Sequence, residues 1–237
     1  MTKEIEHIKA LLNTHSDSNS KLQYLKDELS HEEFINIQKV FFDEESHWYA
    51  SKESRPNFTE PRLQKIVSSP KSHIAKSPYA TYNILDVGTG TGVLIKYIEC
   101  LFSNVCIHAL DLSSNQLEHV KLQYPDVEVY LGDISSFINP VEYDLIYCNA
   151  CFGNILNQSS ALKNMSNMLS GSGLIVISHP LGSAFVENLK NTNNIIVPNT
   201  LPKSIKQVSE LIVDTNLSLV ELIDNQGLYI CILKNNG

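Results

Sequence analysis

Three carboxylates and a glycine-rich turn are the residues of this 237-residue chain best suited to hold a ligand. Asp86-Val87-Gly88-Thr89-Gly90-Thr91-Gly92 follows the apolar pair Ile84-Leu85 and precedes Val93-Leu94, so it reads as a buried strand, a tight turn and a helix start. Glycine lets the backbone approach a ligand where a Cβ would collide, and a helix start offers N–H groups without partners inside the helix. A carboxylate at the end of that strand, Asp86, is unsuited to a pyrophosphate and suits an ammonium group. Asp111, in Ala109-Leu110-Asp111-Leu112-Ser113, comes one crossover later, where an acidic side chain can accept both hydroxyls of a ribose. Asp133, in Leu131-Gly132-Asp133-Ile134, ends a third run and is placed to accept a hydrogen bond from an adenine amino group. Each feature alone is common, because an Asp after a strand is often a helix cap and Gly-Asp is a frequent turn. Their recurrence at successive strand ends carries the assignment.

A second set of residues suits the chemistry of an acceptor. His179, in Ser178-His179-Pro180-Leu181-Gly182, follows the fifth strand at the edge where ligands bind in such sheets, and an imidazole takes a proton near neutral pH. It is the candidate general base; the competing reading is that it packs or caps the next helix. Trp48 and Tyr49 suit a lid over the ligand, or equally core packing, and Phe152 belongs to the same acceptor set. Cys148 and Cys151 form a Cys-x-x-Cys, but no second ligand pair accompanies it and the first cysteine ends a buried strand, so packing is favoured over zinc or redox chemistry and no metal site is expected.

These residues resemble the class I methyltransferase family, whose first motif is an acidic residue followed by Gly-x-Gly-x-Gly, and the likeness covers residues 79–234. The resemblance implies S-adenosylmethionine as cofactor, with Asp86, Gly88, Gly90 and Gly92 holding its methionine moiety, Asp111 its ribose, and Asp133 and Ile134 flanking its adenine. Thr89, Leu112 and Asn149 complete the implied cofactor-binding set. Phe41-Phe42-Asp43-Glu44-Glu45-Ser46-His47-Trp48-Tyr49 is similar to an element that precedes the core in small-molecule and quinone methyltransferases, although Ala50 replaces its usual acid. Asn149-Ala150-Cys151-Phe152 is similar to the Asn-Pro-Pro-Tyr/Phe loop of amino-group methyltransferases without either proline, which disfavours an amide or nucleobase nitrogen as the methylated atom.

The elements that must position these residues follow from periodicity. Strands are expected at Asn83 to Val87, Cys106 to Leu110, Glu128 to Leu131, Leu145 to Cys148, Leu174 to Ser178, Ser218 to Ile223 and Leu228 to Leu233, with helix-length segments between the earlier ones. The last two, joined by Asp224-Asn225-Gln226-Gly227, read as an antiparallel hairpin. The fold class is therefore α/β with helices on both faces of a Rossmann-like seven-stranded sheet. The family resemblance adds the order 3-2-1-4-5-7-6 with strand 7 antiparallel. Residues 1–78 read as a helical extension or lid, with apolar positions at Ile5, Ile8, Leu11 and Leu12, then Leu22, Leu25 and Leu29. Within it Ser30 and Glu33 form a capping box opening a helix that carries Phe34, Ile37, Phe41 and Trp48 along one stripe. Residues 79–237 form the main domain, and the segment Ile195 to Pro202 is an insertion beside the binding edge.

Composition limits the partners. A formal charge of -8 opposes a phosphate backbone, so a small-molecule acceptor is expected and nucleic acid is not. No apolar run approaches the roughly 20 residues of a membrane span, the amino end has no leader character, and the five cysteines are expected as reduced thiols, which together favour a cytoplasmic protein. Two other classes share part of the pattern. A dinucleotide-dependent oxidoreductase fits less well, because Val93 stands at the last position of Gly-x-Gly-x-x-Gly, and a non-catalytic scaffold keeping the fold is the alternative to an enzyme. The oligomeric state is not encoded in any motif.

Overall fold

The computed structural model describes residues 29–51, 59–74, 76–77 and 79–237. The expected apolar positions from Ile5 to Leu25, and residues 52–58 of the polar loop, lie outside the described residues.

Helix α1 (His31–Glu44) opens at Ser30, whose hydroxyl accepts from the Glu33 N–H while the Glu33 carboxylate accepts from the Ser30 N–H, a closed capping box. Phe34 and Ile37 are buried and Phe41 is partly so, but Trp48 leaves the expected stripe. The helix stops at Glu44 and a short second one, α2 (Ser46–Ala50), carries Trp48 with half of its surface exposed. A local competitor ends α1: the Ser46 hydroxyl donates to the Asp43 carbonyl at 2.9 Å. Helix α3 (Glu60–Ser68) follows, with Pro61 in its first turn, where a missing N–H does no harm, and it runs into a 3-10 turn at Ser69–Ser72.

The sheet then forms from β1 (Tyr82–Val87), β2 (Val105–Asp111), β3 (Glu128–Leu131), β4 (Tyr143–Asn149), β5 (Leu169–His179), β6 (Leu217–Asn225) and β7 (Leu228–Asn235). Their order is β3-β2-β1-β4-β5-β7-β6, and only β7 runs antiparallel to its neighbours β5 and β6. The connecting helices are α4 (Ile95–Leu101), α5 (Ser114–Gln123), α6 (Gln158–Asn167), α7 (Ser183–Thr192) and α8 (Ile205–Leu211). Strand alternation feeds two cores. Leu85, Val87, Ile146, Cys148, Ile175 and Ile177 pack with α6, α7 and α8 on one face, while Ile84, Leu145, Tyr147, Leu174 and Val176 pack with α3, α4 and α5 on the other. Because both faces are covered, the central strands read as continuous apolar runs.

Every parallel strand ends its apolar run at the same edge of the sheet. The residues next in sequence there are Gly88 after β1, Leu112 after β2, Ala150 after β4 and Pro180 after β5, so the turns meet in one place. Among the described residues no helix is long and apolar enough to cross a membrane, and no group of three or more His, Cys, Asp or Glu side chains is arranged to hold a metal ion.

Candidate functional site

A cavity of about 460 Å³ lies at that edge, bounded by the ends of β1, β2, β4 and β5 below and by α1 and α2 across it. Its size is that of a site for a cofactor-sized molecule. The sequence-derived candidates Asp86, Gly88, Thr89, Gly90, Asp111, Leu112, Asp133, Ile134, Asn149, Phe152, His179, Trp48 and Tyr49 all line it.

Gly92 does not. A Cβ there would sit 2.9 Å from Ile95 Cδ1 and 3.0 Å from Tyr124 Cε2, so this glycine lets the turn pack on α4 and α5 rather than admitting a ligand. Gly88 is different: at φ +61° its missing Cβ would fall 2.6 Å from Cys151 Cβ and 2.7 Å from Cys151 Sγ. Cys151 is thus part of the cavity wall, its thiol on the Val87 carbonyl at 3.1 Å and beside the buried Cys148 thiol, also at 3.1 Å. The hydrogen bond with Cys148 and burial push the Cys151 thiol well above its usual range, which keeps it protonated.

The two inner carboxylates are held in contrasting ways. Asp86 is fully buried and accepts one hydrogen bond, from the Thr89 hydroxyl at 2.8 Å; burial raises its pKa to about 7. Asp111 accepts from the Gly90 N–H at 2.8 Å and the Ser113 N–H at 2.9 Å, yet burial still raises it to about 6. Among the described residues neither is paired with a cationic side chain. Around them the buried atoms Thr91 Oγ1, Gln116 Oε1 and Ser135 Oγ have no hydrogen-bond partner, and all three residues face the cavity. Two buried carboxylates and three orphaned polar atoms among the residues that line one cavity are what a cationic, hydroxyl-bearing ligand would satisfy.

Asp133 is already engaged. His31, at the start of α1, meets its Oδ2 at 2.7 Å, and the Ser135 N–H donates to its Oδ1 at 3.1 Å. The extension therefore reaches the far end of the cavity, a connection that sequence spacing could not show. Two further ties were equally invisible. Gln38, buried on α1, donates its Nε2 to the Asn154 carbonyl at 2.7 Å and to the Ile196 carbonyl at 3.0 Å. Asp43 Oδ1 accepts from the Ser113 hydroxyl at 2.6 Å and from the Asn115 N–H at 3.2 Å, fastening α1 to the loop that carries Asp111. The only signal in the sequence is a polar residue on the apolar side of a well-capped helix.

The expected insertion forms another part of the wall, where its Ile196, Val197 and Leu201 line the cavity. Carboxamides knit it to the loop after β4: Asn199 Nδ2 donates to the Ile155 and Leu156 carbonyls, and Gln158 Nε2 to those of Phe152 and Thr200. In that loop Ala150 has φ +57°, the one non-glycine residue with positive φ among those described. His179 is buried, and burial alone lowers its pKa to about 4. The Leu181 N–H donates to its Nδ1 at 3.1 Å. Nδ1 is then the acceptor nitrogen, the ring proton sits on Nε2, and the imidazole offers a donor to the cavity.

Residues 36–222 match the family model described as a methyltransferase domain. Among curated proteins, the chain is 33% identical over 100 residues to malonyl-[acyl-carrier protein] O-methyltransferase 2 of Ilyobacter polytropus, covering 41% of this chain and 39% of that protein. It is 28% identical over 103 residues to (S)-coclaurine N-methyltransferase of Thalictrum flavum, covering 41% of this chain and 28% of that one. The chain thus spans well under two thirds of the length of these relatives. Among solved structures, the plantazolicin methyltransferase in complex with a triazolic desmethyl analogue and SAH superposes with a TM-score of 0.61 at 16% identity, covering 86% of this chain and 98% of that one, a likeness of fold.

Proposed function

This chain belongs to the methyltransferase-domain family, and from that premise we propose that it transfers a methyl group from S-adenosylmethionine to a small-molecule acceptor in the cytoplasm. The observation that carries the reading is the pair of buried carboxylates, Asp86 before the glycine turn and Asp111 bonded to its Gly90 N–H, neither of which has a cationic partner among the described residues. The residues present fit the cofactor: Asp86 would receive its ammonium group, Asp111 its ribose hydroxyls, and Asp133 with Ile134 its adenine, while Thr91, Gln116 and Ser135 supply the unpaired polar atoms. Bound there, the cofactor supplies an electrophilic methyl group on a sulfonium. SAH in the plantazolicin enzyme and the names of the curated relatives support both the cofactor and methyl transfer to small molecules.

The chain's own contribution is binding, orientation and exclusion of water. Asp111 is pre-set by two backbone donors, so little reorganisation is needed when hydroxyls arrive. The helical extension serves as the lid, tied across the cavity by His31, Gln38 and Asp43. His179 acts as a hydrogen-bond donor that orients the acceptor rather than as the general base its position suggested, because its free nitrogen carries the proton. Trp48, Tyr49 and Phe152 line the acceptor side, and the five free cysteines are in keeping with a reducing compartment.

The test is calorimetric titration with S-adenosylmethionine, S-adenosylhomocysteine and NAD, on the wild type and Asp111→Ala. Binding of the two sulfur compounds in the micromolar range, weakened at least about tenfold in the variant, is the expected result. Binding of NAD alone would overturn the methyltransferase reading.

A further inference from the structure

We propose that Ser178 is a positioning residue for the cofactor: its hydroxyl turns the Asn149 carboxamide so that the amide NH2 faces the cavity, where it holds the carboxylate of the methionine moiety. The proposal rests on the methyltransferase reading above and names a contact within that same site.

The glycine turn, which the sequence offers as a source of N–H donors, spends most of them on the protein itself. The Gly88 and Thr89 N–H groups both donate to the Leu110 carbonyl, at 2.8 and 3.1 Å, the Gly90 N–H to Asp111 Oδ2 at 2.8 Å, and the Gly92 N–H to the Thr89 carbonyl at 3.0 Å. A zwitterionic ligand whose ammonium group goes to Asp86 brings its own carboxylate into a cavity that already holds the buried carboxyl groups of Asp86 and Asp111. That group needs a donor, and the donor must come from another segment.

The end of β4 supplies it. Val87 pairs with Cys148 across the sheet, so Asn149, the next residue, comes level with Gly88, and it lines the cavity. On its other side Asn149 pairs with Ser178 at the end of β5, and that buried serine holds it twice. The Ser178 hydroxyl donates to Asn149 Oδ1 at 3.1 Å, and the Ser178 carbonyl accepts from the Ala150 N–H at 2.8 Å. The two arms of a planar carboxamide point apart, so an oxygen fixed on Ser178 leaves Nδ2, which has no partner among the described residues, for a ligand. Ala150, at φ +57°, turns the chain directly after Asn149, and Cys151 fastens the far side of the turn by donating its thiol to the Val87 carbonyl at 3.1 Å. Bonds on both sides sustain a conformation that alanine rarely adopts, and such strain belongs where a neighbouring side chain must be placed. An amide donor to a carboxylate makes a charge-assisted bond, about twice as strong as a neutral one. The reverse orientation, with the oxygen toward the cavity, would serve the ammonium group instead.

The probes are S-adenosylhomocysteine and its decarboxylated analogue, which ends in an aminopropyl thioether and keeps both the adenosine and the ammonium group. Calorimetry near pH 8 measures each on the wild type, Asn149→Asp and Ser178→Ala, with thermal melts of every protein as the control for folding. The wild type should bind S-adenosylhomocysteine at least about tenfold more tightly than the analogue. Asn149→Asp keeps an oxygen for Ser178 and replaces the NH2 by a second oxygen, so it should weaken S-adenosylhomocysteine at least about tenfold and the analogue by less than about threefold. Ser178→Ala frees the carboxamide to rotate, and should weaken S-adenosylhomocysteine by about threefold to tenfold while the analogue stays within about twofold. A merely structural role would weaken both ligands alike. Equal losses for the two ligands, or unchanged binding of S-adenosylhomocysteine in either variant, would overturn the proposal. Tighter binding of it by Asn149→Asp would do so too, by showing that the amide presents its oxygen. Failure of S-adenosylhomocysteine to bind the wild type at all would instead remove the methyltransferase reading beneath it.

Discussion

Asp86 is buried with a single hydroxyl partner, and its pKa of about 7 against an ordinary 3.8 means that the ligand-free protein holds a proton that the unfolded chain has already released over most of that interval. The native state therefore binds more protons than the unfolded one between those values, and the stability attributable to Asp86 falls as pH rises through the window, with the full cost present above about pH 7. Asp111 contributes in the same direction up to about 6. Asp86→Asn should accordingly stabilise the ligand-free protein by about 1–3 kcal/mol near pH 8 and by much less near pH 5, while cofactor affinity falls by about 30-fold or more. Denaturant melts at the two pH values with parallel calorimetry check this; an equal gain at both would show that charge burial is not the cause. His179 makes a second residue-scale prediction. Because burial lowers it to about 4 and Leu181 occupies Nδ1, His179→Gln, which keeps a side-chain N–H donor, should retain kcat within about fivefold, whereas His179→Leu should lose at least about tenfold. Neither should remove an inflection between about pH 6 and 8, since a group titrating near 4 has none there to give.

The strands and their turns form the scale at which the sequence was most legible. All seven expected runs are strands, each at least as long as expected; the central β1, β4 and β5 were the plainest, because helices cover both faces and a buried parallel strand writes itself as nearly uninterrupted apolar residues, whereas the edge strands β3 and β6 are only partly buried. The carboxylates at strand ends were legible for the same reason, as polar residues directly after such runs. What local pattern could not distinguish was the work of individual glycines: Gly88 and Gly92 both have positive φ, but one clears the cavity wall and the other clears a helix packing contact. Gly88→Ala should therefore cost about 2 kcal/mol or more and suppress cofactor binding, since both the φ of +61° and the 2.6 Å approach to Cys151 Cβ resist a side chain. Gly92→Ala is strained at φ +79° but meets only the ends of the Ile95 and Tyr124 side chains away from the cavity, so it should lower Tm yet leave the dissociation constant of the folded protein within about threefold. Loss of binding in both variants at temperatures where both are folded would contradict the separation of roles.

Over the whole molecule, the first helix of the extension is joined to the sheet edge by polar pairs of very large sequence separation as well as by apolar packing, and no motif records such pairs. His31 reaches Asp133, Gln38 reaches Asn154 and Ile196, and Asp43 reaches Ser113 and Asn115. An isolated 14-residue helix such as α1 is marginal in water, so these pairs and the burial of Phe34 and Ile37 decide whether it stays docked. The three ties end on three different parts of the site: the Asp133 turn, the loop after β4 with the insertion, and the Asp111 loop. A ligand that orders any of these segments thereby favours the docked lid, and the docked lid favours the ligand by the same factor. Gln38→Ala removes the donor from two carbonyls, one of them in a buried bond, and should cost about 1–3 kcal/mol locally. Its effect should appear as faster amide exchange across residues 31–44 and 193–202 and as weaker acceptor binding. Asp43→Ala should instead weaken cofactor affinity by about fivefold to tenfold, because it releases the loop that presents Asp111. Hydrogen exchange with and without S-adenosylhomocysteine separates the two. In the wild type the cofactor should slow exchange in α1 as well as in the glycine turn, and in Asp43→Ala the protection of α1 should be lost while that of the turn persists. Unchanged exchange in α1 on cofactor binding would show that the extension is a fixed wall of the cavity rather than a lid coupled to its contents.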